Sequence, residues 1–309
     1  MSMMASTLMS FAVFTLFAGT AGYLLVRMLE ACLPLSARTR QLLYLAVLVL
    51  PLTTFLMDMA HWTDVCASYA AHLADALRNL LTVRQGTGSW LTLILLSGYI
   101  AYLCAWQTRA GRSLTVSSDA RQHHRVIRLL RELKAEHLSV RIYRTSYPIA
   151  CVAGLRKAVL CLSHGLLEIM DDSELQAVLA HELAHVRGND NWLNLIVVFL
   201  RGMAFFSPVT HLAAARYAAA REEAADDRAA GMIAESADLA SALLKIVSRS
   251  SGYASLLQPA FSFSSPLDSE QSLHRVERIL QDENGQPRNR LLEQGALLAV
   301  TTVLPLLFC

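Results

Sequence analysis

The sequence predicts a mainly α-helical chain that joins membrane-spanning helices to an α+β unit carrying a small β-sheet. Three observations lead there. First, the chain has 309 residues of which 54% are apolar and only 17% charged, whereas a soluble domain is about 25% charged. Second, apolar runs at residues 7–28, 42–59 and 90–106 are long enough for a hydrocarbon core of about 30 Å, which takes roughly 20 helical residues. A shorter run at 291–308 contains Glu293 and Pro305. Third, between the third and last runs the pattern turns to charged helices and three short stretches, LSVRIYRT, IACVAGL and KAVLCLS, whose β-branched content reads as strand.

These runs divide the chain into a membrane module (1–107, three spans), a water-exposed domain (108–290) long enough to bury its own core, and a C-terminal span (291–309). The first run has neither a basic start nor a small-residue cleavage site, so it is expected to stay as a helix and not to be removed as a signal peptide. Orientation follows from basic residues. Arg38 and Arg40 lie between the first two runs, and Arg109, Arg112, Arg121, Arg125, Arg128, Arg131 and Lys134 follow the third. The positive-inside rule puts both regions in the cytoplasm and the N-terminus outside, giving a multi-pass protein of the cytoplasmic (inner) membrane. A net charge of +2 does not call for a nucleic-acid partner. The six cysteines are scattered with no CxxC and read as small buried apolar residues, neither a disulfide framework nor a zinc finger.

The remaining elements are justified in chain order. Within the loop between the second and third runs, Val65, Tyr69, Leu73, Leu77 and Leu81 recur every four residues, a stripe for packing on the membrane or on the spans. A charged helix is expected over residues 119–136. The three strands follow, with a turn at Gly154 and Leu155. The segment MDDSELQAVLAHELAHVRG marks a helix at both ends: Asp171 with Glu174 three residues on predicts a capping box, and Gly188 a stop. The segments QPAFSFSSPLDSEQS and QDENGQPRNR are expected to be loose.

That helix also carries the chemistry. His181 and His185 are four residues apart and share a helix face, the spacing at which two imidazoles reach one tetrahedral zinc. Glu182 lies beside them and can take a proton from a water activated there, so HELAH is an HExxH arrangement with Glu182 as general base. The competing interpretation is two satisfied histidines on a polar face. A catalytic zinc needs a third protein ligand and an open position. ARYAAAREEAADDRAA supplies candidates: Glu222 and Asp226 are again four apart, so one can bind metal while the other braces a ligand imidazole. Alternatively the cluster is a solvated acidic face balanced by Arg221 and Arg228. Between the two helices runs NWLNLIVVFLRGMAFFSPVTHL, either a core helix or a segment dipping into lipid, with Arg201 against a full span.

Over residues 139–280 the chain resembles the BlaR/MecR-type membrane zinc metallopeptidases, antirepressor peptidases in which spans flank a cytoplasmic zincin-like (gluzincin) domain. The matching features are Pro148 and Gly154 near the strands, ELQAVLAHELAHVRGNDNWLN, FFSP, REEAADD and HRVERIL. The resemblance implies one Zn2+ per chain on His181, His185 and Glu222, Glu182 as general base, and Asp226 and Asp190 bracing the site. Resemblance to HtpX-type membrane proteases rests on the same motifs and is weaker outside them. Ala225 replaces a cysteine that many members carry, which is not a ligand position. Nothing follows the last apolar run, so the penicillin-binding sensor domain of the family's best-known members is expected to be absent, and antibiotic sensing with it.

The expected function is therefore a membrane zinc endopeptidase that cuts a protein on the cytoplasmic side, a transcriptional repressor being the favoured substrate. A substrate strand would add to the sheet edge at residues 149–155, and Arg216, Tyr217 and His211 are the candidate oxyanion donors. The bilayer is the other partner, with no direct contact to nucleic acid. Two other readings compete: an HtpX-like quality-control protease, and a non-catalytic scaffold held by zinc.

Overall fold

The computed structural model describes residues 3–68, 98, 119–250, 269–281 and 290–303. All but residue 98 of the expected span at 90–106, the stripe from Tyr69 to Leu81 and most of the two loose segments lie outside them. Among the described residues the protein is mainly helical with one three-stranded sheet.

Helices α1 (Met3–Cys32) and α2 (Ala37–Ser68) form an antiparallel pair. The chain turns at residues 33–36, Tyr23 meets Tyr44 with ring centroids 6.1 Å apart, and Phe11 meets Phe55 at 5.4 Å. The stretch Phe11–Cys32 is the one helix among the described residues long and apolar enough to cross a membrane. Its outer face shows Leu16, Phe17, Leu24 and Met28. The expected span at 42–59 falls inside α2, whose Leu43, Val47, Leu48 and Leu50 are buried against neighbouring helices.

Helix α3 (Ala120–Glu132) starts at Asp119, whose carboxylate accepts the Arg121 and Gln122 amides, as an N-cap does. Strands β1 (Ser139–Tyr143), β2 (Ala150–Ala153) and β3 (Val159–Ser163) lie in the order β1-β3-β2. β2 and β3 form an antiparallel hairpin, and β1 runs parallel to β3, so β2 is an edge. Alternation along the strands turns Ile142, Leu160 and Leu162 into a core with Leu129 and Leu130 of α3. That core also takes Leu175, Val178 and Leu179 of α5 (Asp172–Arg187). The short α4 (His164–Ile169) connects sheet to α5.

After α5 come α6 (Asp190–Met203), α7 (Pro208–Ala230), α8 (Ser236–Ser250) and α9 (Ser269–Gln281). The last is α10 (Arg290–Leu298), which continues as a π turn (Ala299–Val303). Helix α7 lies between the two halves of the molecule. Its Ala213, Ala214 and Tyr217 pack with Leu43, Tyr44 and Val47 of α2, and its far end bears on α5. Small alanines at Ala213, Ala220, Ala224 and Ala225 allow the helices to approach closely.

Candidate metal centre and active site

The site begins with the ends of α5. Asp171 caps the helix through the Glu174 amide (2.9 Å), and Glu174 reaches back to the Asp171 N–H (3.1 Å). At the other end α5 stops at Gly188. Asn189 takes a left-handed turn, φ 54°, a conformation asparagine tolerates better than most residues. That single-residue reversal carries Asp190 back against α5, with its Oδ2 2.7 Å from His185 Nδ1. A Cβ on Gly188 would stand 2.4 Å from the Arg228 guanidinium and 2.7 Å from Asp190 Oδ1, so glycine is what lets both groups close over this turn.

His181 and His185 bring their Nε2 atoms to 3.2 Å, and Glu222 of α7 places Oε2 3.5 Å from the first and 3.7 Å from the second. The structure thus unites the two histidines with a carboxylate about forty residues away. Metal–ligand lengths of about 2.0–2.2 Å in a tetrahedron separate ligand atoms by about 3.3–3.6 Å, so the donor set and its spacing fit a zinc ion bound by three protein groups. Each imidazole is braced from behind on Nδ1. For His185 the brace is Asp190; for His181 it is Asp226, whose Oδ1 is 3.0 Å away, somewhat off the line of an ideal N–H bond. Such carboxylates orient a ligand ring and raise its basicity.

The charges sustain one another. Burial disfavours a charged His181, yet Asp226 and Glu222 lift it to about 9. Burial likewise opposes a charged His185, and Glu222 and Asp190 overcome it. For Glu222, burial is outweighed by Arg221 and the two imidazoles, which hold its carboxyl well below the usual range. Asp226 is buried too, but Arg275 and His181 bring it down to about 2. Buried carboxylates persist only with such partners.

Four arginines supply them, and the sequence alone did not assign their roles. Arg221, read there as a surface counter-charge, is buried with Nη2 2.7 Å from Glu222 Oε1. Arg228 donates to the Ala184 carbonyl (2.7 Å) and lies 3.5 Å from Asp190. Arg275 of α9 grips Asp226 through two bonds of 2.8 Å and stands 3.6 Å from Glu222. One turn on, Arg278 holds Asp227 at 2.5 Å and the Glu223 carbonyl at 3.0 Å. HRVERIL was legible as a motif, but its partners lie some fifty residues earlier and no local pattern points to them.

Other expected residues fall elsewhere. Glu223 turns from the histidines to pair with Arg40 of α2. Tyr217 meets Gln41 of α2 (3.4 Å), and His211 bonds to Arg201 and the Phe205 carbonyl. Glu182 is buried on α5, the helix that packs against the edge strand β2. Asn191 of α6 donates to the Val152 and Gly154 carbonyls (3.3 and 2.9 Å), and Trp192 to that of Leu155 (2.8 Å), which ties the end of β2 to the metal-site turn.

A helix with paired imidazoles and a neighbouring carboxylate, faced by a second helix bearing a third ligand group, has the arrangement of a metallopeptidase. The family model described as BlaR1 peptidase M56 matches residues 46–276, three quarters of the chain, and the chain belongs to that family. It is also similar to Protease HtpX homolog 2 of Methanosarcina mazei, 36% identical over 111 residues, 35% of this chain and 37% of that protein. Protease HtpX homolog of Helicobacter pylori is 34% identical over 152 residues, 44% of this chain and 49% of the relative. With the homolog of Aquifex aeolicus identity is 25% over 130 residues, 39% and 43% of the two chains. The chain therefore spans between a third and a half of the length of these relatives.

Proposed function

We propose that this chain is an integral-membrane, zinc-dependent endopeptidase that cuts a protein on the cytoplasmic side, with a regulatory protein such as a transcriptional repressor as substrate. The observation that carries the peptidase reading is the triangle of His181, His185 and Glu222 beside Glu182. A bound zinc polarises a peptide carbonyl and lowers the pKa of its water from 15.7 to about 7. The chain's own residues do the rest. Asp190 and Asp226 fix the ring orientations, and Arg221 keeps Glu222 ionised. The Glu182 carboxylate accepts the water proton and delivers it to the leaving amine. The outward edge of β2, the strand on which α5 packs, offers backbone groups to an extended substrate.

The membrane reading is multi-pass, with the catalytic residues at the cytoplasmic surface. It is supported by the side on which polar groups gather. Around the α1–α2 turn, Arg27 pairs with Glu30 (2.7 Å), Ser36 N–H donates to Glu293 (2.8 Å), and Arg40 reaches Glu223 beside the metal triangle. The first loop and the site thus share one end of the helices, which supports placing both on the side that the basic residues favour.

A second reading, a housekeeping protease that degrades damaged membrane proteins, is favoured by relatives named Protease HtpX. A zinc-held scaffold without activity would have no need of Glu182. One comparison tests all three: wild type and Glu182→Ala are purified in detergent, their zinc is measured, and cell proteomes are compared. The expected result is equal zinc, lost hydrolysis and one cytoplasmic protein accumulating in the variant. Many accumulating membrane proteins would select the housekeeping reading. Turnover by Glu182→Ala near that of wild type would remove the general-base role.

A further inference from the structure

On the opposite face of the sheet from the core lies a row that the peptidase chemistry does not use. Arg141, Cys161 and Cys151 are direct register partners across β1, β3 and β2, and directly opposed residues point to one face. Antiparallel partners have Cα atoms about 4.5–5.5 Å apart, within the 4.4–6.8 Å that a disulfide accepts. Tyr143, two residues beyond Arg141 and on the same face, places its hydroxyl 3.9 Å from Cys161 Sγ. Arg141 is exposed, Cys151 half-buried and Cys161 buried.

We propose that Cys151 and Cys161 form a reversible dithiol–disulfide couple, a redox modification site on the edge strand beside the peptidase centre. The two thiols have unequal roles. Hydrogen bonding from Cys151 overcomes burial to draw the Cys161 thiol down, helped by Tyr143 and the Arg141 charge, while the partner thiol and burial push Cys151 up. A thiolate next to a cation is the nucleophile in such pairs. With a hydroperoxide as oxidant, Cys161 attacks one peroxide oxygen. The O–O bond breaks, giving a sulfenic acid and, after protonation, water or an alcohol. Cys151 then attacks the sulfenic sulfur, the S–S bond forms, and the expelled hydroxide leaves with the Cys151 proton as water. Two thiols lose two electrons and one peroxide gains them. The product ties the middle of β2 to β3.

The test uses the full chain in detergent, treated with graded hydrogen peroxide, alkylated and digested with trypsin. Cleavage after Arg144, Arg156, Lys157 and Arg187 puts the two cysteines on peptides 145–156 and 158–187. The expected product is a linked pair of these peptides, lighter by two hydrogens than their sum and released by dithiothreitol. Arg141→Gln should form it several-fold more slowly and Arg141→Lys near the wild-type rate. Cys151→Ser should drive Cys161 past the disulfide to sulfinic acid. The readout needs no proteolytic turnover, so it stands apart from the peptidase reading. Overoxidation of the wild-type pair without a link, unreacted thiols, or links to other cysteines instead would each overturn the proposal.

Discussion

At the residue scale the decisive contrast is between neighbours on α7. Glu222 and Glu223 are adjacent in sequence yet face opposite partners: the imidazoles of α5 and Arg40 of α2. A helix turns about 100° per residue, so only one of them can join the triangle. Glu222→Ala is expected to lose bound zinc by elemental analysis, while Glu223→Ala keeps it. Asp190→Ala leaves three ligand groups but frees the His185 ring. Supporting carboxylates of this kind are worth about 10–100-fold in metal affinity, and a competition titration with a chelator should read a loss of that order. Unchanged affinity would show that the Asn189 turn orients His185 without the carboxylate.

The elements are held at their ends. Arg125 donates to Asp172 (2.6 Å) and to the Leu167 and Met170 carbonyls (2.8 Å each), which anchors α3 on the start of α5. Glu174 of the capping box also accepts Lys245 (2.5 Å) and Ser241 (2.7 Å) of α8. Asp171→Ala removes one side of the box and should cost about 1 kcal/mol, read as a lower midpoint of thermal unfolding with zinc content intact. The pH dependence has a definite sign. The Glu174 amide draws the Asp171 carboxyl down, and Lys245 and Ser241 outweigh burial to lower Glu174. Depressed folded values contribute stability above the ordinary carboxylate pKa of about 4. That contribution disappears as pH falls through the depressed values. Below pH ~4 wild type should therefore lose stability faster than Asp171→Ala; parallel acid curves would deny the capping carboxylate this role.

Over the whole molecule, α6 and α7 form a hairpin alongside α1 and α2. At one end Gln41 meets Tyr217, and at the other Phe206 meets Phe11 with centroids 6.5 Å apart. Phe11 also touches Phe55, and Gln41 to Phe55 is about 21 Å of helix at 1.5 Å per residue. The hairpin tip exposes Phe205 at 72% and Leu212 at 53%, large apolar groups at the level of the far end of the spanning stretch. If α1 crosses the bilayer, this tip goes with it, and the Arg201–His211 pair (3.0 Å) is the polar exception it carries. A single tryptophan placed as Phe205→Trp, with Trp62, Trp90, Trp106 and Trp192 changed to Phe, should be quenched by lipid brominated along the acyl chain. Quenching by aqueous iodide instead would put the hairpin in water.

What the sequence determined by itself is whatever depends on short spacings. The i, i+4 pairs put His181 with His185 and Glu222 with Asp226, the capping box set the start of α5, and β-branched runs placed the three strands. Family resemblance then named Glu222, Asp190 and Asp226. Tertiary structure alone decided the rest. It made β1 parallel to β3 of the β2–β3 hairpin, with the expected edge at 149–155 formed by β2, and it buried Arg221 and Arg275 against carboxylates that look solvent-facing in a linear reading. Helical periodicity is local and survives in the sequence. Ion pairing across fifty residues depends on how helices cross, and strand order on which backbone edges find partners, and neither leaves a spacing to read.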